Sequence, residues 1–268
     1  MRKFYDKKLI VSGNVVELYE YEKPVLREPQ SKRIGRAGQN GTTDEQKRQN
    51  RRKVAMRNRK HLRRIINANF SPRQSKFVTL TFRENITEIK EANKRFVSFR
   101  KRLARHLEVP LEYIAVPEFQ KRGAVHYHML MNCPYIPHAE LSRLWGHGFV
   151  KINCIDSVDN LGAYVTKYMT KDNDEERLAG RKSYFASYNL EKPDETTDEE
   201  VINAAMSEMQ VKRVACDTCF DTEYFGTVKY VQYVLEAPLD IRKHRRKPQS
   251  KCFPPLWTNT FSPLPSFH

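Results

Sequence analysis

The residues of this chain best suited to chemistry stand in two short runs. The first is Val125-His126-Tyr127-His128-Met129-Leu130. Side chains two apart on a strand share a face. A strand here therefore turns His126 and His128 the same way and sends Val125, Tyr127, Met129 and Met131 to the other side, where a core can bury them. Two imidazoles on one face can chelate a divalent cation. The preceding apolar run, Tyr113–Phe119, is joined to this one by the short connection Gln120–Ala124. A hairpin symmetric about Arg122 sets residue 118 opposite residue 126, about 5 Å away on the same face, and residue 118 is a glutamate. Glu118, His126 and His128 then converge as three ligands, with positions left for phosphate oxygens and water. A His-x-His pair alone binds nothing in most proteins; the facing carboxylate makes this one worth following.

The second run is Tyr164-Val165-Thr166-Lys167-Tyr168-Met169-Thr170-Lys171. Tyr164, Lys167, Tyr168 and Lys171 fall at i, i+3, i+4 and i+7, so a helix lines them up along one stripe. Val165 and Met169 form a second stripe that can pack inward. A single Tyr-x-x-Lys is a common amphipathic pattern. The doubled form, placed after a Glu…His-x-His hairpin, presents two phenols beside two ammonium groups.

The elements that must position these residues follow from periodicity. Phe77–Phe82 is β-branched and aromatic with a period of two, a strand. Ile89, Ala92, Phe96, Phe99, Leu103 and Leu107 recur at steps of three and four, a helix with Lys and Arg opposite. His138–Trp145 reads as a short helix, Phe149–Cys154 as a strand and Val158–Lys171 as a helix. From residue 76 the order is β-α-β-β-(α)-β-α, which predicts an α+β fold: an antiparallel β-sheet with helices packed on one face. Before it, Leu9–Val11 and Val15–Tyr19 flank the turn Ser12-Gly13-Asn14. Residues 23–43, rich in Pro and Gly, read as a linker. A basic helix starts near Asp44, capped by Thr43 or Asp44, with an apolar stripe at Val54, Leu62, Ile65 and Ile66. Beyond residue 172, residues 191–200 read as acidic loop, Val201–Gln210 as helix, Lys212–Cys216 and Thr227–Leu235 as strands, and the last thirty residues as an irregular tail. The division this implies is 1–45, 46–193 and 194–268.

Composition narrows the class of partner. The 268 residues carry a formal charge of +16, and residues 47–64 hold ten Lys or Arg in eighteen positions. Charge concentrated in this way predicts a polyanionic partner, because each neutralised phosphate releases counterions. Residues 47–64 and the face at Arg95–Arg105 are the candidate phosphate contacts, and aromatic rings on the sheet can stack on unpaired bases. An interfacial membrane helix would need a bulky aromatic face that the basic block lacks. No run reaches the roughly 18–20 apolar residues of a membrane span, and the N-terminus lacks the apolar core of a secretory signal, so the expectation is a soluble, cytoplasmic protein. The five cysteines, Cys133, Cys154, Cys216, Cys219 and Cys252, include one CxxC pair. His244 and Cys252 are poorly spaced to complete a zinc site with it. No GxxxxGK[ST] phosphate loop occurs.

In order and spacing, Phe77–Phe82, then Glu118 with His126-Tyr127-His128, then Tyr164–Lys171 resemble the three motifs of HUH-superfamily rolling-circle replication initiators. The last motif resembles the two-tyrosine form of small single-stranded-DNA phages, and related plasmid Rep proteins look similar. The resemblance covers residues 76–171 and more faintly extends to 193. Tyr127 stands where the family often has an aliphatic residue. The resemblance implies an HUH, ferredoxin-like or RRM-like core and an endonuclease. Glu118, His126 and His128 would hold Mg²⁺ or Mn²⁺. Tyr164 or Tyr168 would attack the scissile phosphate, assisted by Lys167 and Lys171. It also implies single-stranded origin DNA as substrate, a 5′-phosphotyrosine link and a free 3′-hydroxyl, with a host helicase and DNA polymerase in a bacterial cytoplasm. Rival readings are a transposase or relaxase with the same chemistry, a non-catalytic DNA-binding regulator, and a zinc-stabilised RNA-binding protein using Cys216 and Cys219.

Overall fold

A computed structural model describes residues 4–27, 43–72, 74–153, 155, 158–169 and 184–245. In chain order the elements are β1 (Phe4–Ser12), β2 (Val15–Leu26), α1 (Asp44–Asn69), β3 (Ser75–Phe82), α2 (Ile89–Leu107), β4 (Glu112–Phe119) and β5 (Val125–Asn132). Then come α3 (His138–Trp145), β6 (Gly148–Asn153), α4 (Leu161–Met169), β7 (Phe185–Ala186), β8 (Asp194–Thr196), α5 (Glu199–Glu208), β9 (Val211–Thr222) and β10 (Gly226–Leu235). The fold is α+β. Two antiparallel sheets of five strands run in the orders β6-β3-β5-β4-β7 and β8-β1-β2-β10-β9.

The first sheet is built by alternation. Val78, Leu80, Tyr113, Ala115, Val125, Tyr127, Met129, Met131 and Val150 point to one face, where α2 brings Phe96, Phe99 and Leu103 and α3 brings Leu141 and Trp145. Each large apolar side chain buried here contributes about 1.5–3 kcal/mol. Tyr127 is fully buried, stacks on Phe96 at 4.5 Å and donates its hydroxyl to Asn93 at 2.6 Å.

Helices cover both faces of this sheet, where the sequence predicted one. On the second face, Leu62 and Ile66 of α1 and Leu161 and Val165 of α4 pack over Phe77, Ile114, Val116 and Leu130. The reason lies in those four strand residues: they are apolar on the face opposite the main core, so that end of the sheet needs a cover as well. The same face carries the two histidines further along.

Several boundaries differ from the sequence reading. Strand β2 runs through Lys23–Leu26, which was expected as linker, because it keeps pairing with β1 up to Phe4–Leu26; residues 28–42 lie outside the described residues. Thr43 caps α1 through a reciprocal pair with Gln46. Leu62, Ile66 and, in part, Ile65 pack inward, but Val54 is 48% exposed, because the first half of α1 lies beyond any sheet. The acidic stretch 191–200 is not a loop throughout. Asp194–Thr196 pairs with Val11–Leu9 of β1, Glu195 meets Lys8 at 2.5 Å, and Asp198 caps α5. Helix α4 starts at Leu161 rather than Val158, because the Asn160 side chain accepts the Ala163 N–H from the cap position. Most of the C-terminal tail, residues 246–268, lies outside the described residues.

The segments flanking the first sheet, 4–26 and 194–235, meet in the second sheet, and α1 is packed against both sheets. Its Arg64 binds the carboxylate of Glu17, with Nε at 3.0 Å, and Lys60 binds the hydroxyl of Tyr19 while lying over the rings of Tyr19 and Tyr230 at 4.9 and 5.1 Å. The Glu17 side chain is only 4% exposed. Removing one partner of a buried ion pair strands the other charge. Arg64→Met should therefore cost about 3–5 kcal/mol in urea unfolding, and adding Glu17→Gln to it should recover part of that loss.

Candidate metal centre and tyrosine helix

The β4–β5 hairpin has the register that symmetry about Arg122 predicts: Glu118 faces His126 and Val116 faces His128. The turn closes through Gln120 and Ala124, with the Gln120 N–H donating to the Ala124 carbonyl at 2.8 Å and the Gly123 N–H to the Gln120 carbonyl at 2.7 Å. Arg122 donates to the Phe82 carbonyl at 2.9 Å and so ties the turn to β3.

Both histidines aim their Nε2 atoms at one oxygen of Glu118, His126 at 2.7 Å and His128 at 2.6 Å. All three side chains are largely shielded, at 14–16% exposure. Burial alone would push the Glu118 carboxyl up, but the hydrogen bonds from His126 and His128 outweigh it and hold it at about 2. The ligand atoms of the three lie within 4.8 Å of one another, and among the described residues this is the one such group of His, Cys, Asp or Glu able to hold a metal ion.

The donor set fits a divalent cation. Two imidazole nitrogens and a carboxylate oxygen already converge without rearrangement, and a support for ligation is in place. Thr79 Oγ1 stands 3.2 Å from His128 Nδ1, so it can accept a proton there when Nε2 turns its lone pair to an ion. Phe77 stacks on the His128 ring at 5.6 Å and 4°, which fixes the ring plane. Neither Thr79 nor Phe77 is marked by a ligand-type residue; only their register with His128 and Leu130 reveals them.

Helix α4 carries the tyrosine run. Val165 is buried among Ile114 and Val116, so the helix packs on the sheet face that bears the triad. Tyr164 is 39% exposed and Lys167 is exposed. Tyr168 lies on the same helix. Lys171 lies outside the described residues, as do Cys154 and Cys252.

What docks α4 was not read from the sequence. Gly162 sits so closely against α1 that a Cβ there would overlap the Arg63 carbonyl oxygen. Two buried asparagines complete the joint: Asn67 accepts the Gly162 N–H at 2.6 Å and donates to Asn160 at 3.1 Å, while Asn160 accepts the Ala163 N–H at 2.9 Å. An Asn before an apolar helix and a Gly inside one were the available signals.

Other expected participants are placed elsewhere. α2 packs on the face opposite the triad, and its basic side chains are engaged there. Arg95 binds Glu91 and Glu84, each at 2.9 Å, and Arg102 donates to the carbonyls of Leu144 and Trp145. Cys216 and Cys219 lie on β9 opposite Gln232 and Lys229. Three apart on a strand, they point to opposite faces and cannot share an ion. His138 binds the Val150 carbonyl at 2.9 Å, a structural role. No helix among the described residues is long and apolar enough to cross a membrane.

Residues 75–173, which span both the hairpin and α4, match the family model for the replication-associated protein ORF2. A curated relative, the "Phasyl DNA replicon protein arp" of Escherichia coli, is 45% identical over 56 residues. That match covers 20% of this chain and 19% of the relative, so only about a fifth of the relative's length is spanned. Among solved structures, the crystal structure of the hypothetical protein ORF119 from Sulfolobus islandicus rod-shaped virus 1 aligns with a TM-score of 0.33 and 22% identity, over 43% of this chain and 95% of that one. The segment bearing the candidate site is thus similar to replication-associated proteins.

Two outcomes follow. Glu118, with its carboxyl held at about 2, contributes stability that is present above the ordinary carboxyl range and lost only as pH falls through about 2. Its charge is therefore constant across any neutral assay range. Mn²⁺ affinity, measured calorimetrically, should fall on acidification from about pH 8 to about pH 5 because protons compete for the imidazoles, and Glu118→Gln should bind weakly throughout. Gly162→Ala should cost about 1–3 kcal/mol by overpacking in thermal or urea unfolding, yet leave Mn²⁺ affinity near that of the parent, since it displaces α4 and not the hairpin.

Proposed function

We propose that this protein is a replication initiator that nicks single-stranded origin DNA with a tyrosine nucleophile, and that residues 46–193 form the nuclease domain. The observation that carries the reading is the convergence of His126 and His128 on one oxygen of Glu118, on the sheet face against which α4 packs. The match of residues 75–173 to a replication-associated family supports the same substrate class, as does the short match to a DNA replicon protein.

Glu118, His126 and His128 would hold Mg²⁺ or Mn²⁺, which polarises the scissile phosphate and offsets charge developing on it. The phenol oxygen of Tyr164 or Tyr168 attacks phosphorus. The bond from phosphorus to the 3′-oxygen breaks, its electron pair leaves with that oxygen, and the phenol proton ends on the new 3′-hydroxyl. The 5′-phosphate stays on tyrosine. A free phenol has a pKa near 10, so at neutral pH it needs nearby positive charge to ionise. Lys167 and Lys171 follow the two tyrosines at the same spacing and supply it. In the return step a 3′-hydroxyl attacks the phosphotyrosine, restoring the phenol and closing the strand. Two tyrosines let one molecule do both transfers.

The free 3′-hydroxyl is a primer terminus for a host polymerase. The chain has no phosphate-loop motif, so duplex opening falls to a host helicase in the bacterial cytoplasm or to supercoiling. The exposed basic side chains of α1 are the candidate contacts to phosphate.

Labelled single-stranded DNA tiled across the replicon, incubated with protein and Mn²⁺, should yield a covalent protein–DNA band on a denaturing gel. EDTA and the double variant Tyr164→Phe/Tyr168→Phe should abolish it. Salt-sensitive binding with no covalent product on any tile would instead favour a non-catalytic regulator.

A further inference from the structure

The register of the first sheet draws the candidate metal centre into a row that crosses four strands. Phe149 on β6 faces Thr81 on β3, Thr81 faces His126 on β5, and His126 faces Glu118 on β4. The next row reads Lys151, Thr79, His128, Val116. Directly opposed residues share a face, so Phe149 and Lys151 project from the same side as the triad. The alternation within β6 agrees: Val150, between them, is 1% exposed and packs in the opposite core.

Along this face the cover is uneven. Phe77, Leu130, Ile114 and Val116 lie beneath α1 and α4. At the other end Phe149 is 64% exposed and Lys151 is exposed. A single exposed apolar residue is ordinary. This one stands two strand spacings, about 10 Å, from His126, with a cation beside it. Its position is also fixed. Gly148 lets β6 begin hard against β3, since a Cβ there would overlap the Thr81 carbonyl oxygen and the Arg83 nitrogen.

We infer that Phe149 and Lys151 form a nucleotide-binding platform for single-stranded DNA beside the metal centre, Phe149 stacking on an unpaired base and Lys151 contacting the adjoining phosphate. An aromatic face with a neighbouring cation is the arrangement that suits a base and its phosphate in unpaired nucleic acid. A base held in duplex offers no free face to Phe149, so the platform selects unpaired DNA. It also anchors the strand at a set distance from the triad, which makes it a determinant of where the strand is cut. This inference takes its substrate from the proposed function but needs no chemistry to test.

The test is fluorescence anisotropy of the full chain with a labelled oligo-dT strand in EDTA, where no transfer occurs. Phe149→Ala should weaken binding about tenfold, while Phe149→Tyr, which keeps a ring, should bind within about twofold of the parent. Lys151→Ala should reduce the slope of log affinity against log salt by about 0.7, the value of one single-strand phosphate contact. Unchanged melting temperature and Mn²⁺ affinity of Phe149→Ala would show that fold and triad are intact. Parent-like affinity of Phe149→Ala, or equal losses for the Ala and Tyr variants, would overturn the platform. If the covalent band forms in the parent but Phe149→Ala binds normally, the platform alone fails. If Phe149→Ala weakens binding but the parent forms no covalent band, the nuclease reading alone fails.

Discussion

The two-sidedness of β5 is the constraint on which the rest depends. Val125, Tyr127, Met129 and Met131 supply the deepest part of one core, while His126 and His128 stand on the opposite face. A slip of one residue would carry both imidazoles into the apolar core and put Tyr127 outside. Burial of Tyr127 against Phe96, Phe82 and Phe185 therefore locks the orientation of the histidines. The free energy that forms the core also sets the ligand geometry, so the site requires no separate scaffold. The tight turn at Gln120–Ala124 then fixes the remaining freedom by placing Glu118 opposite His126.

The second determinant is α1, which is packed against both sheets. On one side its Leu62 and Ile66 cover the end of the triad-bearing face, and its Arg63 carbonyl receives Gly162 of the tyrosine helix. On the other its Arg64 and Lys60 engage Glu17, Tyr19 and Tyr230 of the second sheet. The basic helix thus has a structural half and a free half. Residues from about 60 onward hold the molecule together, and the exposed turns before them keep their charge for solvent or a polyanion. Much of the charge that looked uniform in the sequence is divided this way, and the same is true of α2, where Arg95 and Arg102 serve the fold.

What could be read in the sequence was what local periodicity encodes. The limits of α2 and α3, the strands of the central sheet and the facing of Glu118 with His126 follow from patterns a few residues long. A hairpin with a short turn has few registers to choose among. Long-range facts were not readable. That residues 4–26 and 194–235 would share a sheet depends on partners far apart in the chain, and alternation says which face is buried, not against what. The strand at Asp194–Thr196 was hidden by its acidity, which Lys8 and β1 balance only in three dimensions. Gly162, Asn67 and Asn160 matter because of a crossing between α1 and α4 that no single segment announces. Thr79 and Phe149 acquire meaning only through their rows across the sheet.

The central claim is that the hairpin triad and the tyrosines of α4 act as one centre. Its most direct test is tandem mass spectrometry of the peptide left joined to nucleotide after reaction with single-stranded origin DNA and Mn²⁺, followed by proteolysis. The account predicts a nucleotide linked through its 5′-phosphate to Tyr164 or Tyr168, and no such peptide from a Glu118→Gln/His128→Ala variant. A nucleotide attached to any other residue, or an unchanged yield from that variant, would contradict it.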